Sequence, residues 1–225
     1  MDDIKIKNVL LRTYIEACLN KSNINKEDLK NVKEIILDSQ NIIGEYNKVY
    51  IDEISLFPNL EEITIKNLGL TNENMQLLKR IKKINFINCE INGLKNLENV
   101  IELVINNTEI WDFENIQYLK NIEILRLINI DIKDFNFIEQ LHNLKELAIE
   151  NIPGFTLEKI DIPLNIEKIS FFGINKLDLK IISKYKNLKE ISVDAKDVEN
   201  IKNELHELKK QNINILLNNL YEYKE

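Results

Sequence analysis

The sequence predicts an α/β solenoid: a right-handed coil of short strands with a concave parallel β-sheet, a helical N-terminal cap and a helix-strand C-terminal cap. Three observations predict it. An apolar pattern recurs at a 22-residue spacing, each recurrence alternates apolar and polar residues as a strand does, and the apolar residues are overwhelmingly aliphatic. The 225 residues read as a single domain, with 1–31 as the N-terminal cap, 32–198 as about eight repeats and 199–225 as the C-terminal cap. That length suffices for one sizeable core.

The repeating pattern is apolar-x-x-apolar-x-apolar, then two variable residues, a turn position and a further apolar residue. It starts at Val32, Leu60, Ile81, Val100, Ile122, Leu144, Ile166 and Leu188, so the steps are 28, 21, 19, 22, 22, 22 and 22. A degenerate ninth unit is expected at Ile213 and Leu216. Within each unit the alternation (Ile35-x-Leu37, Leu125-x-Leu127) has the period 2 of a strand. One strand per 22 residues is joined to the next by a return on one side, which makes the sheet parallel and the chain a coil.

The segment from Leu119 through Ile122, Leu125, Leu127, Ile130, Ile132, Phe135, Ile138 and Leu141 to Leu144 resembles the 22-residue class of leucine-rich repeats. That class is found in bacterial internalin-type proteins and in a regulatory subunit of protein phosphatase 1. The resemblance covers roughly residues 26–200, and the stretch Ile24 to Val32 is similar to the helical cap of internalin-type repeats. The turn Ile-x-Asp-Phe at Ile110–Phe113 and Ile132–Phe135 is similar to the Ile-x-Asp-Leu turn of the class. The class usually has Asn at the turn position. Here Gln40, Leu68, Cys89, Thr108, Ile130, Ile152 and Ile174 stand there, so the class's asparagine ladder is expected to be absent from the C-terminal half. The resemblance implies a protein-binding module, with regulation or inhibition of an enzyme as a special case.

Both ends need covers, because a solenoid end exposes core. Residues 3–20 read as an amphipathic helix, followed by a short helix at about 26–31. At the other end Val198 to Leu208 has helical spacing, followed by a strand near Ile213–Leu217 and a charged tail from Tyr221 to Glu225. With both ends capped, the protein is expected to be a monomer. The stretch Ile43–Phe57 lengthens the first repeat, as a short helix-loop or a partner-facing insertion.

Composition narrows the function. There are 39 Ile and 33 Asn against three Ala, so the core is aliphatic. The net charge of −7 is the wrong sign for a phosphate-binding surface, and no nucleic-acid partner is expected. No apolar run reaches 18 residues, and the first eight residues carry two acids and no apolar run of leader length, so neither a membrane span nor a leader is expected. Cys18 and Cys89 make no disulfide framework. A cytoplasmic location is the expectation.

The residues that chemistry would need are missing. His142 and His206 stand alone, the five glycines are scattered, and Cys89 sits at a buried turn position. Neither a metal nor a cofactor is expected, and no enzyme activity.

Function is therefore expected on the concave sheet, where residues flanking the core positions point outward. The leading column is Glu34, Glu62, Lys83, Glu102, Ile124, Glu146, Lys168 and Glu190. The middle column is Ile36, Thr64, Asn85, Val104, Arg126, Ala148, Ser170 and Ser192. The trailing column is Asp38, Lys66, Ile87, Asn106, Ile128, Glu150, Phe172 and Asp194. Ile87, Val104, Ile124, Ile128 and Phe172 around Arg126, with Glu150, form the expected partner-binding patch, since an exposed apolar surface ringed by polar groups marks an interaction site. Trp111, the only Trp, is a further contact candidate or packs near Phe113 or Ile132. The next column, Asn67, Asn88, Asn107, Asn129 and Asn151, suits left-handed turns or a polar recognition ladder. The rival readings are a structural component that stacks edge to edge, and an internalin-like surface ligand if a signal peptide is removed.

Overall fold

The computed structural model describes residues 4–39, 51–174, 177–198 and 200–218. They form two compact units, Met1–Leu119 and Lys120–Glu225. Gln40, Ile42, residues 43–50 of the lengthened first repeat and the tail Tyr221 to Glu225 lie outside the described residues.

The first unit opens with α1 (Val9–Leu19) and α2 (Lys26–Lys30). The helix expected from residue 3 starts only at Val9. Asn8 is buried there, and its side chain accepts from the Leu11 amide, the N-cap arrangement that begins a helix. Before it the chain is extended, with the Ile4 amide donating to the Ile24 carbonyl. The carboxylate of Glu53 accepts from the amides of Lys7 and Asn8. α2 has a full capping box between Asn25 and Asp28.

α1 packs against the first of four parallel strands. These are β1 (Glu34–Asp38), β2 (Glu62–Lys66), β4 (Lys83–Ile87) and β6 (Glu102–Asn106), adjacent in that order. Their register places Glu34, Glu62, Lys83 and Glu102 side by side, so the columns expected from the repeat are the columns of the sheet. Ile35, Leu37, Ile63, Ile65, Ile84, Phe86, Leu103 and Ile105 are fully buried on its inner side. The two-residue strands β3 (Gly69–Leu70), β5 (Glu90–Ile91) and β7 (Glu109–Ile110) make a second small parallel sheet after each turn. One short helix, α3 (Asn72–Leu77), serves as a return. In the lengthened first repeat, Ile51–Leu56 is a short 3-10 helix that buries Ile51 and Ile54, and Phe57 just after it is buried too. This described part contributes core.

The second unit repeats the plan with β8 (Ile124–Ile128), β9 (Glu146–Glu150), β10 (Lys168–Phe172), β11 (Glu190–Asp194) and β12 (Asn214–Asn218). The returns are 3-10 turns at Asn136–Gln140, Leu157–Lys159 and Lys180–Lys184. Phe155 joins the turns to the sheet. Its ring meets Phe135 edge-on at 5.0 Å and Phe171 at 5.6 Å. α4 (Lys202–Lys210) buries Leu205 and Leu208 beneath β12.

These repeated strand–turn–return units make a leucine-rich-repeat solenoid, the class that the Leu119–Leu144 pattern resembles. One expectation needs correction. The repeat pattern puts Leu216 in the core of the ninth unit, but β12 pairs with Ile215 beside Ile191 and Leu217 beside Val193. Leu216 therefore shares the outward column of Ser192, since a shift of one residue reverses a strand's faces. Leu216 is 45% exposed, and Leu217 is 49% exposed although it occupies a core column.

Candidate surface for partner binding

The turn after each long strand sets how the outward columns end. Asn67, Asn88, Asn107, Asn129 and Asn151 all have φ between 46 and 59°, and Gly173 takes the same place in the next repeat with φ 62°. Asn tolerates this left-handed conformation better than other residues with a side chain. The amides of Asn67, Asn88, Asn129 and Asn151 donate to carbonyls one repeat onward, those of Ile87, Asn106, Glu150 and Phe172.

In the first unit the Asn side chains also form a ladder. Asn67 Nδ2 donates to Asp38 Oδ1 at 2.7 Å, Asn88 Nδ2 to Asn67 Oδ1 at 3.2 Å, and Asn107 Nδ2 to Asn88 Oδ1 at 2.8 Å. The ladder thus stands one residue before the turn position where the class has its asparagines. At that position Leu68, Cys89, Thr108, Ile130, Ile152 and Ile174 are all buried. Thr108 Oγ1 accepts from the Cys89 amide, and the Cys89 thiol donates to the Ile65 carbonyl. Burial pushes the Cys89 thiol pKa up, the opposite of what a nucleophile requires.

On the outward face of the second unit, Ile128, Glu150 and Phe172 stand in one column on β8, β9 and β10, each half-buried. Arg126 shares the face with Ile128 two residues away. Its Nη2 lies 2.6 Å and its Nε 3.2 Å from Glu146 Oε1, a diagonal contact between neighbouring strands. Ile124, beside Glu146, is also half-buried. Ala148 and Ser170 continue the middle column after Arg126, so its floor is made of short side chains.

In the first unit Ile87 and Val104 are half-buried on the outward face of β4 and β6. Lys83 sits between Glu62 at 4.0 Å and Glu102 at 3.7 Å. Trp111 is 65% exposed. It follows β7 in the small sheet and so is not part of the outward columns of the long strands. Its Nε1 donates to Glu90 Oε1 at 3.3 Å, one strand back.

Three residues of those columns are not exposed as expected. Thr64 and Ser192 are buried because their short side chains sit below their neighbours, and Asn85 Nδ2 reaches over to Thr64 Oγ1. Asp194 is only 2% exposed. Its Oδ2 accepts the Gly173 amide at 2.6 Å, with Lys196 at 3.8 Å, while Oδ1 has no hydrogen-bond partner. Asp194 is thus a turn-closing residue of the last full repeat.

Other features lie outside the expected patch. One is a row of ion pairs just ahead of the leading column, Glu123 with Lys145 at 2.9 Å and Glu167 with Lys189 at 2.6 Å. The hydrogen bond within each pair, helped by the opposed charge, holds the Lys145 ammonium pKa above, and the Glu167 carboxyl pKa below, their usual ranges. The alternation Glu, Lys, Glu, Lys at 22-residue spacing is legible in the sequence once the register is known. Leu164 and Tyr118 are also exposed, at 68% and 56%. A cavity of about 570 Å³ lies among the returns of the second unit, lined by Thr156, Leu157, Asp178, Asp197, Asn200 and Glu204. Burial raises the Asp197 carboxyl pKa there.

No group of three or more His, Cys, Asp or Glu gathers as metal ligands among the described residues, and no described helix is long and apolar enough to cross a membrane.

No family model matches the sequence, and no curated protein matches it. Solved structures do. An internalin from Listeria monocytogenes is similar at 14% identity and a TM-score of 0.46, over 95% of this chain and 91% of that one. Internalin C2 from the same species is similar at 16% identity and a TM-score of 0.47, over 94% and 93%. A TLR13–ssRNA13 complex is similar at 13% identity and a TM-score of 0.47, over 76% of this chain and 27% of that one.

Proposed function

We propose that the protein is a cytoplasmic protein-binding module that grips a protein or peptide on the outward, concave face of its strands, as an adaptor or as a regulator or inhibitor of an enzyme. The observation that carries this reading is the column Ile128–Glu150–Phe172 beside Arg126. Two apolar side chains flank a carboxylate, and Arg126 stands in the adjacent column with its guanidinium on Glu146. Aromatic and Arg anchors within a partly apolar patch are what protein interfaces concentrate. Ile87 and Val104 supply the corresponding apolar surface on the first unit, and Trp111 is a separate, secondary contact.

Binding rather than catalysis is favoured by the state of the reactive groups. Cys89 is buried with its thiol pKa raised, and both histidines are exposed. The two free cysteines suit a reducing compartment.

The test is affinity capture from native lysate with the wild-type chain and with the double variant Ile128→Asp, Phe172→Asp. A protein held by wild type and lost by a normally folded double variant supports the reading. A protein held equally by both refutes it and moves the contact to Trp111 or the returns.

A further inference from the structure

The last strand has an unusual edge. β12 reads Asn214-Ile215-Leu216-Leu217-Asn218 and pairs with β11 on one side. Among the described residues no strand pairs with the other side. Asn214 donates its backbone N–H inward to the Lys189 carbonyl at 2.8 Å. Alternation along an extended strand then turns the N–H and C=O of Ile215 and Leu217 outward, away from β11. Leu216 and Leu217 are 45% and 49% exposed on the same strand. An edge whose outward groups at Ile215 and Leu217 meet no partner strand among the described residues is a template for another strand.

Charge and symmetry indicate which strand. Residues 211–218 carry no charged group, in a chain of which 30% is charged. Every other five-residue strand has at least one. A second copy of this chain, despite its net charge of −7, meets no like charge at β12.

The strand is also nearly the same read in either direction, with Asn at both ends and three apolar residues between. Turned antiparallel about a two-fold axis at Leu216, Ile215 stands opposite Leu217 of the second copy, and Leu217 opposite its Ile215. Those are the residues whose backbone groups face outward, so each pair exchanges both hydrogen bonds. Leu216 meets Leu216 of the second copy in the non-hydrogen-bonded position, where side chains approach most closely.

We propose that the protein self-associates through the β12 edge as a two-fold antiparallel pair. The contact is isologous and closes on itself, so it makes dimers and not filaments. A five-residue edge buries less than the roughly 1,200 Å² of a stable interface, so the dimer forms reversibly as concentration rises.

Sedimentation equilibrium of the full chain, from low micromolar concentration upward to the solubility limit, tests this. The expected wild-type mass rises from 26.5 kDa toward twice that value. The Leu216→Lys variant, which opposes two like charges at the axis, stays at 26.5 kDa with unchanged circular dichroism and melting.

In a Cys18→Ser background, Leu216→Cys cross-links two copies on mild oxidation, whereas Asn214→Cys, facing Asn218 of the second copy, does not. A wild-type mass that never rises overturns the proposal and leaves the edge to a foreign extended peptide. A dimer undiminished by Leu216→Lys, or cross-linking through position 214 in place of 216, overturns it as well. None of these variants touches the Ile128–Phe172 column, so the result is read independently of partner capture.

Discussion

Arg126 reaches diagonally from β8 to β9 and sets its Nη2 2.6 Å from Glu146 Oε1. The contact draws the guanidinium along the sheet toward Glu146, the neighbour of Ile124, and so shapes the middle of the proposed binding face.

Both partners are part-exposed, so water screens the pair, and Arg126→Ala is expected to lower stability by only about 0.2–1 kcal/mol. Partner affinity is expected to fall by more, about 2 kcal/mol, because Arg at the centre of an interface is a frequent hot spot. Thermal unfolding and partner titration of the same variant separate the two effects. A stability loss that exceeds the affinity loss would make Arg126 a structural residue only.

Gly173 follows the left-handed turns of Asn67, Asn88, Asn107, Asn129 and Asn151 and takes the same conformation without a side chain. A Cβ built there falls 1.8 Å from Asn151 Oδ1, and the φ of 62° adds strain. Gly173→Ala is expected to destabilise by about 1–2 kcal/mol from the backbone alone, with the clash in addition. At that size the melting temperature drops by about 2–8 °C for a domain of this length. Asn151→Gly in the same chain removes the clash but not the backbone strain, so it is expected to restore part of the loss. A double variant no more stable than Gly173→Ala would show that the clash has no energetic weight.

Tyr14 on α1 has its phenol pKa pushed up to about 12 by burial and by its hydrogen bond with Cys18. The ordinary value is 10.0. A folded pKa above the unfolded one gives stability that is full below the unfolded value and lost as pH rises through the folded one. The cap is therefore expected to loosen between pH 10 and about 12. Absorbance titration of the seven tyrosines should show one late step, absent from the Tyr14→Phe variant. A Tyr14→Phe curve with the same late step would assign it to another tyrosine.

The strand columns are legible in the sequence because two local patterns agree on them. Alternation assigns Leu125, Leu127, Ile169 and Phe171 to the core side, and the 22-residue spacing stacks one repeat on the next. The left-handed turns at Asn67 through Asn151 are legible for the same reason, since a conformation set by a residue's own φ is written in its type. The start of α1 is not, because it depends on pairing between Ile4 and Ile24, 20 residues apart. The face on which Leu216 lies is hidden as well, because the ninth unit departs from the spacing that places the others.

By itself the sequence determined the class of fold, the strand columns of the first eight repeats and the residues that turn the chain, because each follows from period and residue type along the chain. Tertiary structure alone decided what is covered. Thr64, Ser192 and Asp194 sit in outward columns yet are buried, while Leu217 sits in a core column yet is half exposed. The reason is physical: which way a side chain points is a property of its own strand, but whether water reaches it depends on the neighbours, and β12 has a neighbour on one side only among the described residues.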